Sequence, residues 1–263
     1  MTIIDCHCHV YPEKIVEKAV KGIGDFYDIE MTNDGRINTL LKQGEENGIT
    51  RHVIFSVATT PKQVASINSF IAQTVSEFPD KFIGLGTLHP DSEDIALDVE
   101  HIIELGLKGV KLHPDFQKFA LNDAKCDKMY QACRGRLPIL IHAGDKRYEY
   151  SNPDNLIPVL EKYPDLTIIA AHLGGYSVWD RVESNLKGYD NLFVDCSSSF
   201  AFMSKDRAES LIRFFGADKV LFATDFPMWD IKGELEYFNS LNLTKEEREL
   251  ILYKNACKLF NIE

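Results

Sequence analysis

Eight short apolar runs rich in β-branched residues recur along this chain, with longer segments of helical character between them. Each run has the length of a buried strand, and the intervening segments space their apolar residues as amphipathic helices do. The runs cover residues 2–6, 52–57, 82–88, 109–113, 138–142, 167–172, 192–195 and 220–224. Because strands alternate with helices throughout, the pattern predicts a single α/β domain over residues 1–263, a (β/α)₈ TIM barrel.

Helix boundary signals support this alternation. Thr60 precedes Pro61 and stands three residues before Gln63, a capping pattern that predicts a helix to about residue 78. Asn152 before Pro153 and Thr244 before an acidic turn predict two further helix starts. A doubly wound sheet is the alternative fold, but it would require a glycine-rich phosphate turn after an early strand, and the sequence has none. The segment 10–35 is a long excursion after the first strand, and we expect either a lid over the barrel mouth or a surface insertion.

Composition excludes several classes of protein. The chain has 29 basic and 40 acidic residues, a net charge of -11, which makes a nucleic-acid partner improbable because phosphate binding needs clustered cations. No segment has the length and apolarity of a membrane span, and the N-terminus shows no signal peptide. The six cysteines are dispersed, as is typical of reduced thiols. We therefore expect a cytoplasmic protein that acts on a small molecule, and a homo-oligomer is compatible with the sequence.

Six of the eight histidines lie at or just after the predicted strand ends. Asp225 follows the eighth run in the same way. In a (β/α)₈ barrel these ends meet at one rim, where the active site lies. Apolar strands that end in imidazoles and carboxylates would lose stability without a ligand, and a metal cation removes that loss. The six histidines are His7, His9, His89, His113, His142 and His172.

The first strand carries the densest part of this pattern. Alternation along a strand predicts that His7 and His9 share one face with Asp5, while Cys6 and Cys8 point toward the helices as buried thiols. Imidazole and carboxylate ligands suit one divalent ion, Zn²⁺ first, with Mn²⁺ and Fe²⁺ also compatible.

Taken in order, the motifs resemble those of the amidohydrolase superfamily. They are Asp5-x-His7-x-His9, Gly109-Val110-Lys111-Leu112-His113-Pro114, His142-Ala143-Gly144, His172-Leu173-Gly174-Gly175, Thr224-Asp225-Phe226-Pro227 and residues 254–260. The chain is most similar to the amidohydrolase-related branch, which includes metal-dependent decarboxylases of the aminocarboxymuconate-semialdehyde type. The resemblance implies that His7, His9, His142 and Asp225 bind the metal. It also implies that Asp225 transfers a proton and that His172 polarises the substrate or a water.

Two reactions are compatible with such a site. We expect a metal-dependent hydrolase, in which Asp225 takes a proton from a metal-activated water as it attacks an amide, lactone or related carbonyl. The alternative is nonoxidative decarboxylation of a small unsaturated or aromatic acid. A catalytically silent metal-binding barrel is a third hypothesis, disfavoured because both Asp225 and His172 are present.

The residues expected to contact the substrate are Lys111, His113 and Tyr148. Lys111 and His113 lie on the fourth strand with the same parity, and Tyr148 follows the fifth strand beside Lys146 and Arg147. In binuclear members of the superfamily a fourth-strand lysine is carbamylated and bridges two metals. The resemblance therefore leaves open a second metal at Lys111, held also by His142 and His172.

Overall fold

Eight parallel strands form the barrel in the computed structural model, which describes residues 2–262. The third strand is interrupted at Leu85, whose amide donates to the carbonyl of Ile54 on the second strand. The first and eighth strands close the barrel, since Cys6 N–H donates to the Phe222 carbonyl and His9 N–H to the Phe226 carbonyl. The strands are β1 (Ile4–His9), β2 (Arg51–Phe55), β3 (Phe82–Gly84 and Gly86–Thr87), β4 (Val110–Leu112), β5 (Ile139–Ile141), β6 (Ile168–Ala170), β7 (Leu192–Asp195) and β8 (Val220–Leu221). All eight predicted runs contain a strand, and the barrel prediction is confirmed.

Helices surround the strands, as the alternation predicts. The helix start at Thr60 has both reciprocal capping bonds, and Thr244 has the same arrangement. Asn152 caps a 3₁₀ turn that leads into the predicted helix. The α-helices are α1 (Val16–Tyr27), α2 (Ile37–Glu46), α3 (Val64–Glu77), α4 (Ile95–Glu104), α5 (Pro114–Gln117), α6 (Asp127–Cys133), α7 (Ile157–Lys162), α8 (Trp179–Asn185), α9 (Lys205–Phe215), α10 (Ile231–Asn239), α11 (Lys245–Glu249) and α12 (Asn255–Phe260).

Two apolar clusters hold the fold together. The inner cluster fills the barrel and includes Phe55, Leu140, Ile169 and Leu221. The larger outer cluster lies between the strands and the helices. Because alternate strand residues enter the two clusters, both faces of the sheet are apolar, which is why the strands appear in the sequence as nearly continuous apolar runs.

Within residues 2–262, no helix combines the length and the apolarity that crossing a bilayer would require. All six cysteines are free thiols, and only Cys257 among them is not buried.

Candidate metal centre

The strand β1 does not alternate regularly. Its pairing with β2 shifts register between Asp5 and Cys8, a β-bulge. Cys6, within the shifted stretch, belongs to the cluster inside the barrel, whereas Cys8 at its end belongs to the outer cluster. The bulge still turns both His7 and His9 inward, where their rings meet the Phe55 ring edge-on at centroid distances of 5.0 and 4.8 Å. The prediction that Cys6 points toward the helices was therefore wrong.

Asp5 does not share the histidine face either. Its Oδ2 lies 3.7 Å from the His52 Nδ1 on the side of Cys8, and its carboxylate accepts from the backbone N–H and hydroxyl of Thr224 at 3.0 and 2.6 Å. Asp5 thus ties the end of β8 to the start of β1. Since Asp225 follows Thr224 directly, this link fixes the backbone of Asp225 against the strand that carries His7.

The other rim residues follow the strands as predicted: His113 after β4, His142 after β5, His172 after β6 and Asp225 after β8. Both His172 and Asp225 have left-handed backbones, with φ of 61° and 63°. For a residue with a side chain this conformation costs about 1–3 kcal/mol, and such strain is concentrated at functional sites. The chain therefore leaves each strand in a sharp turn that directs the side chain into the barrel mouth.

One group of possible ligand atoms is formed by His7, His172 and Asp225, all buried and all within 4.8 Å of one another. Asp225 Oδ1 lies 3.3 Å from His7 Nε2 and 3.6 Å from His9 Nε2, and the two Nε2 atoms are 3.3 Å apart. His142 joins this group through His172, since its Nδ1 is 2.9 Å from the His172 Nε2. The structure thus places His7, His9 and Asp225 side by side, whereas His142 contacts this group only through His172 and also belongs to a second group of possible ligands.

The chemistry of these donors fits a cation. Burial lowers the pKa of His7, His9 and His142 well below the usual value, and it lowers the pKa of His172 to about 4, so the imidazoles are neutral at pH 7. Neutral imidazole is the form that binds metals. Pairs of ring nitrogens about 3 Å apart need either a shared proton or a shared cation between them. A divalent ion satisfies several of these nitrogens and the Asp225 carboxylate at once.

Asp195, at the end of β7, orients His7. Its Oδ2 accepts a hydrogen bond from His7 Nδ1 at 2.9 Å, which leaves the His7 Nε2 lone pair directed toward His9 and Asp225. The Asp195 Oδ1 accepts from the backbone N–H groups of His172 and Ser197 at 3.1 and 3.0 Å. A carboxylate behind a histidine in this way fixes the tautomer that a metal requires.

Lys111 lies beneath His7 and is fully buried, with its Nζ 3.2 Å from the His7 Nε2. Burial lowers its pKa to about 8, and the charges of Asp195 and Asp225 oppose that shift. Lys111 does not line the small cavity that the rim histidines enclose. Its carbamylation and the second metal remain predictions.

A second group of possible ligand atoms, not foreseen from the sequence, contains His113, Asp115 and His142. Asp115 Oδ2 accepts from the Ser151 hydroxyl at 2.6 Å, while its buried Oδ1 has no partner. Burial raises the Asp115 pKa to about 6. The signal in the sequence is Pro114 directly after His113, because proline favours the first position of a helix. It begins the short helix α5, which turns Asp115 back toward the rim.

Helix α1, inside the predicted excursion 10–35, covers the rim. The Tyr27 hydroxyl lies 2.8 Å from His113 Nε2 and 3.4 Å from His142 Nε2. The cavity among the histidines, Asp225 and this helix measures about 20 Å³, which is enough for roughly one water molecule. Tyr148 lies outside it, 38% exposed, and its ring stacks on Phe26 at 5.5 Å. Tyr27 and Phe116 line the cavity and Tyr148 does not, so the substrate contact of Tyr148 stays a prediction.

A parallel (β/α)₈ barrel with buried imidazoles and a carboxylate at the C-terminal ends of its strands defines the class of metal-dependent barrel enzymes. The sequence profile of the amidohydrolase family matches residues 4–262. The chain therefore belongs to the amidohydrolase family and is an enzyme of that family.

Related proteins are distant in sequence but extend over most of the chain. A γ-resorcylate decarboxylase from Polaromonas sp. is 23% identical over 250 residues, 74% of this chain and 75% of the relative. A 2-amino-3-carboxymuconate-6-semialdehyde decarboxylase from Dictyostelium discoideum is 24% identical over 238 residues, 75% of this chain and 66% of the relative. The solved structure of a dihydroxybenzoic acid decarboxylase from Polaromonas sp., with bound manganese and the inhibitor 2-nitroresorcinol, superposes with a TM-score of 0.77 at 18% identity, covering 99% of this chain and 97% of the other.

Proposed function

We propose that this protein is a metal-dependent nonoxidative decarboxylase of a small aromatic or unsaturated carboxylic acid. The observation that carries the proposal is a closed cavity in which neutral imidazoles and Asp225 converge beneath aromatic side chains. The two relatives named above are both decarboxylases, which favours this reaction over the hydrolysis expected from the sequence. Family membership alone supports no more than a metal-dependent enzyme.

We assign His7, His9, His142 and Asp225 to a divalent ion, and His172 to the substrate. Imidazole and carboxylate donors accept Zn²⁺, Mn²⁺ and Fe²⁺, and the manganese in the related structure favours testing Mn²⁺ beside Zn²⁺. When bound, the ion acts as a Lewis acid that polarises substrate oxygens and compensates their negative charge.

The chain's own residues then perform the proton chemistry. Ser197 holds the His172 ring, with its carbonyl 3.0 Å from Nδ1, so that Nε2 faces the other donors. His172 thereby orients a substrate oxygen. The bond between the ring carbon and the carboxylate breaks, and its electron pair stays on that carbon. Carbon dioxide leaves, and a proton that Asp225 has taken from water bonds to the carbon in its place. Ser198 donates to the Asp225 Oδ2 and keeps that carboxylate in position.

The closed cavity suits decarboxylation because it excludes bulk water. Met31 and Phe116 line it together with Tyr27, so few solvent molecules compete with the substrate for the donors. An acid of one ring is larger than the space present. We therefore expect α1 to move outward when the substrate binds and to return before the carbon–carbon bond breaks.

The test is a comparison of two substrate panels with the protein loaded with Mn²⁺ or Zn²⁺. One panel contains hydroxylated aromatic and unsaturated carboxylic acids, and the other contains amides and lactones. We expect carbon dioxide release from at least one acid, loss of that activity with a chelator, and its restoration by added metal. Asp225→Asn should stay folded and lose turnover. Cleavage of amides or lactones without carbon dioxide release from any acid would overturn the proposal in favour of hydrolysis.

A further inference from the structure

A second cleft, larger than the cavity at the metal donors, lies beside it under the other side of α1. Its volume is about 640 Å³, within the range of small-molecule sites. The walls come from α1, from the loop after β2 and from the start of α3, and most of their surface is apolar. The cleft shares four lining residues with the small cavity: His9, Ile23, His113 and Phe116. It is therefore adjacent to the metal centre, and Ile23 and Phe116 lie between the two spaces.

Helix α1 presents one coherent face to this cleft. The residues on that face are spaced by three and four positions, as expected for one side of a helix: Ile15, Lys18, Ala19, Gly22 and Ile23. Ile15, directly before the helix, is 46% exposed. Lys14 and Lys18 add two positive charges at the edge of the cleft. A flat apolar molecule with a negative charge matches this lining.

Gly22 lines the cleft at an exposed position of α1. After proline, glycine is the least favourable residue in a helix interior, and it is usually retained for close packing or an unusual backbone. Neither applies here, because a Cβ added at Gly22 would meet no atom within 4 Å and its φ is not positive. Gly24, two residues later, is different, since a Cβ there would lie 2.9 Å from the Ile29 carbonyl oxygen. Gly22 is exposed, so the open space beside it is solvent, and a larger side chain at position 22 would extend into the cleft without meeting the protein.

We propose that this cleft binds the apolar body of the substrate, and that Gly22 sets the size of the group it accepts. The carboxylate end would then reach the donors past Ile23 and Phe116, and the remainder would lie along α1. The inference rests on the proposed function and adds a prediction about the substrate. The acid should carry an apolar part beyond the carbons that react. Lys14 and Lys18 draw the anion toward the cleft.

The experiment is a size series at Gly22 with an aromatic anion as probe. The metal-loaded protein is titrated with 1-anilinonaphthalene-8-sulfonate, and Kd is followed by fluorescence for wild type and for Gly22→Ala, Gly22→Leu and Gly22→Phe. We expect Kd to change little for alanine and to rise about tenfold for phenylalanine, whose ring would occupy part of the cleft that the probe uses. Lys21→Phe is the matched control, because Lys21 lies on the same helix but lines a different groove.

Folding is checked by thermal melting, and none of the Gly22 variants should melt below wild type because each improves helix propensity. If the wild-type protein does not bind the probe, or if Gly22→Phe binds it as wild type does, the proposal is overturned. Equal weakening by Lys21→Phe also overturns it, since the effect would then not belong to the cleft. The titration needs no turnover, so its result stands apart from failure of the decarboxylation assay. If an acid is turned over, Gly22→Phe should raise KM most for the bulkiest acids.

Discussion

Replacing Asp195 by asparagine should remove the preference of His7 for the tautomer that binds a metal. Asp195 is fully buried and its Oδ2 accepts from His7 Nδ1 at 2.9 Å. In the variant the amide NH₂ would face that nitrogen, so His7 Nδ1 would have to accept and Nε2 would carry the proton. A protonated Nε2 cannot bind a cation. The asparagine oxygen can still accept from the backbone of His172 and Ser197, so the turn after β6 should persist.

The expected loss of metal affinity is that of one ligand, His7, which is no longer held in the orientation and tautomer that bind the ion. Changes to the group behind a ligating histidine typically reduce metal affinity by about 10–100-fold, which is roughly 1.4–2.8 kcal/mol. The upper half of that range is expected here, because the carboxylate is buried and no water can replace it. Affinity is measured by competition between the protein and a chromophoric chelator for Zn²⁺ and Mn²⁺ at pH 7.

Ser197→Ala is the comparison variant. The Ser197 hydroxyl also lies near His7 Nδ1, at 3.1 Å, but its removal leaves the Asp195 contact in place. Its effect on affinity should therefore be clearly smaller than that of Asp195→Asn. An Asp195→Asn protein that melts as a folded domain and binds both metals within about twofold of wild type would refute the reasoning.

Three further predictions use the buried groups around the donors. Lys111→Met should stabilise the metal-free protein at pH 7 by about 3 kcal/mol. Burial lowers the lysine pKa from 10.5 to about 8, which means that the buried positive charge destabilises the fold. Urea unfolding measures the change, and a variant with a lower free energy of unfolding than wild type would contradict the prediction. The metal-free protein should lose stability as the pH falls from about 6.5 toward 4. In this interval His172 binds a proton in the unfolded chain but not in the folded protein, where its pKa is about 4. A melting temperature that does not change across this interval would contradict the prediction. Tyr27→Phe removes the hydroxyl that contacts His113 and His142 but keeps the ring. Turnover of an identified acid should fall, while the melting temperature should stay within a few degrees of wild type. Unchanged turnover would show that this contact has no role in closing α1 over the site.

Much of the fold was predictable because each strand is buried on both faces. Every apolar run therefore marked a strand, and a histidine or carboxylate just past the run marked the rim. His142 and Asp225 could be placed in this way without any knowledge of their neighbours. The expected lid could be located after β1 by its length alone.

The remaining features depend on contacts between distant segments. The bulge in β1 inverts the expected side of Cys6, and no turn residue in the sequence announces it. The role of Asp195 is not visible in the sequence, because its partner His7 is 188 residues away. Tyr27 reaches the site only because α1 folds back over the barrel, and one-dimensional periodicity cannot give that direction.

Because of the bulge, the side chains of the first strand contribute to two different regions of the molecule, the core and the barrel mouth. Ile4 and Cys6 contribute hydrocarbon and thiol to the barrel interior, and His7 and His9 contribute imidazole to the mouth, with the register shift falling between Asp5 and Cys8. Substitutions at Ile4 or Cys6 should therefore register as changes in unfolding free energy, and substitutions at His7 or His9 as changes in ion affinity. Deleting one residue between Asp5 and Cys8 would leave the composition almost intact yet put the imidazoles out of phase with Asp225. Within the six residues of β1, one extra residue in the bulge thus allows the same strand to contribute both to the core and to the candidate metal site.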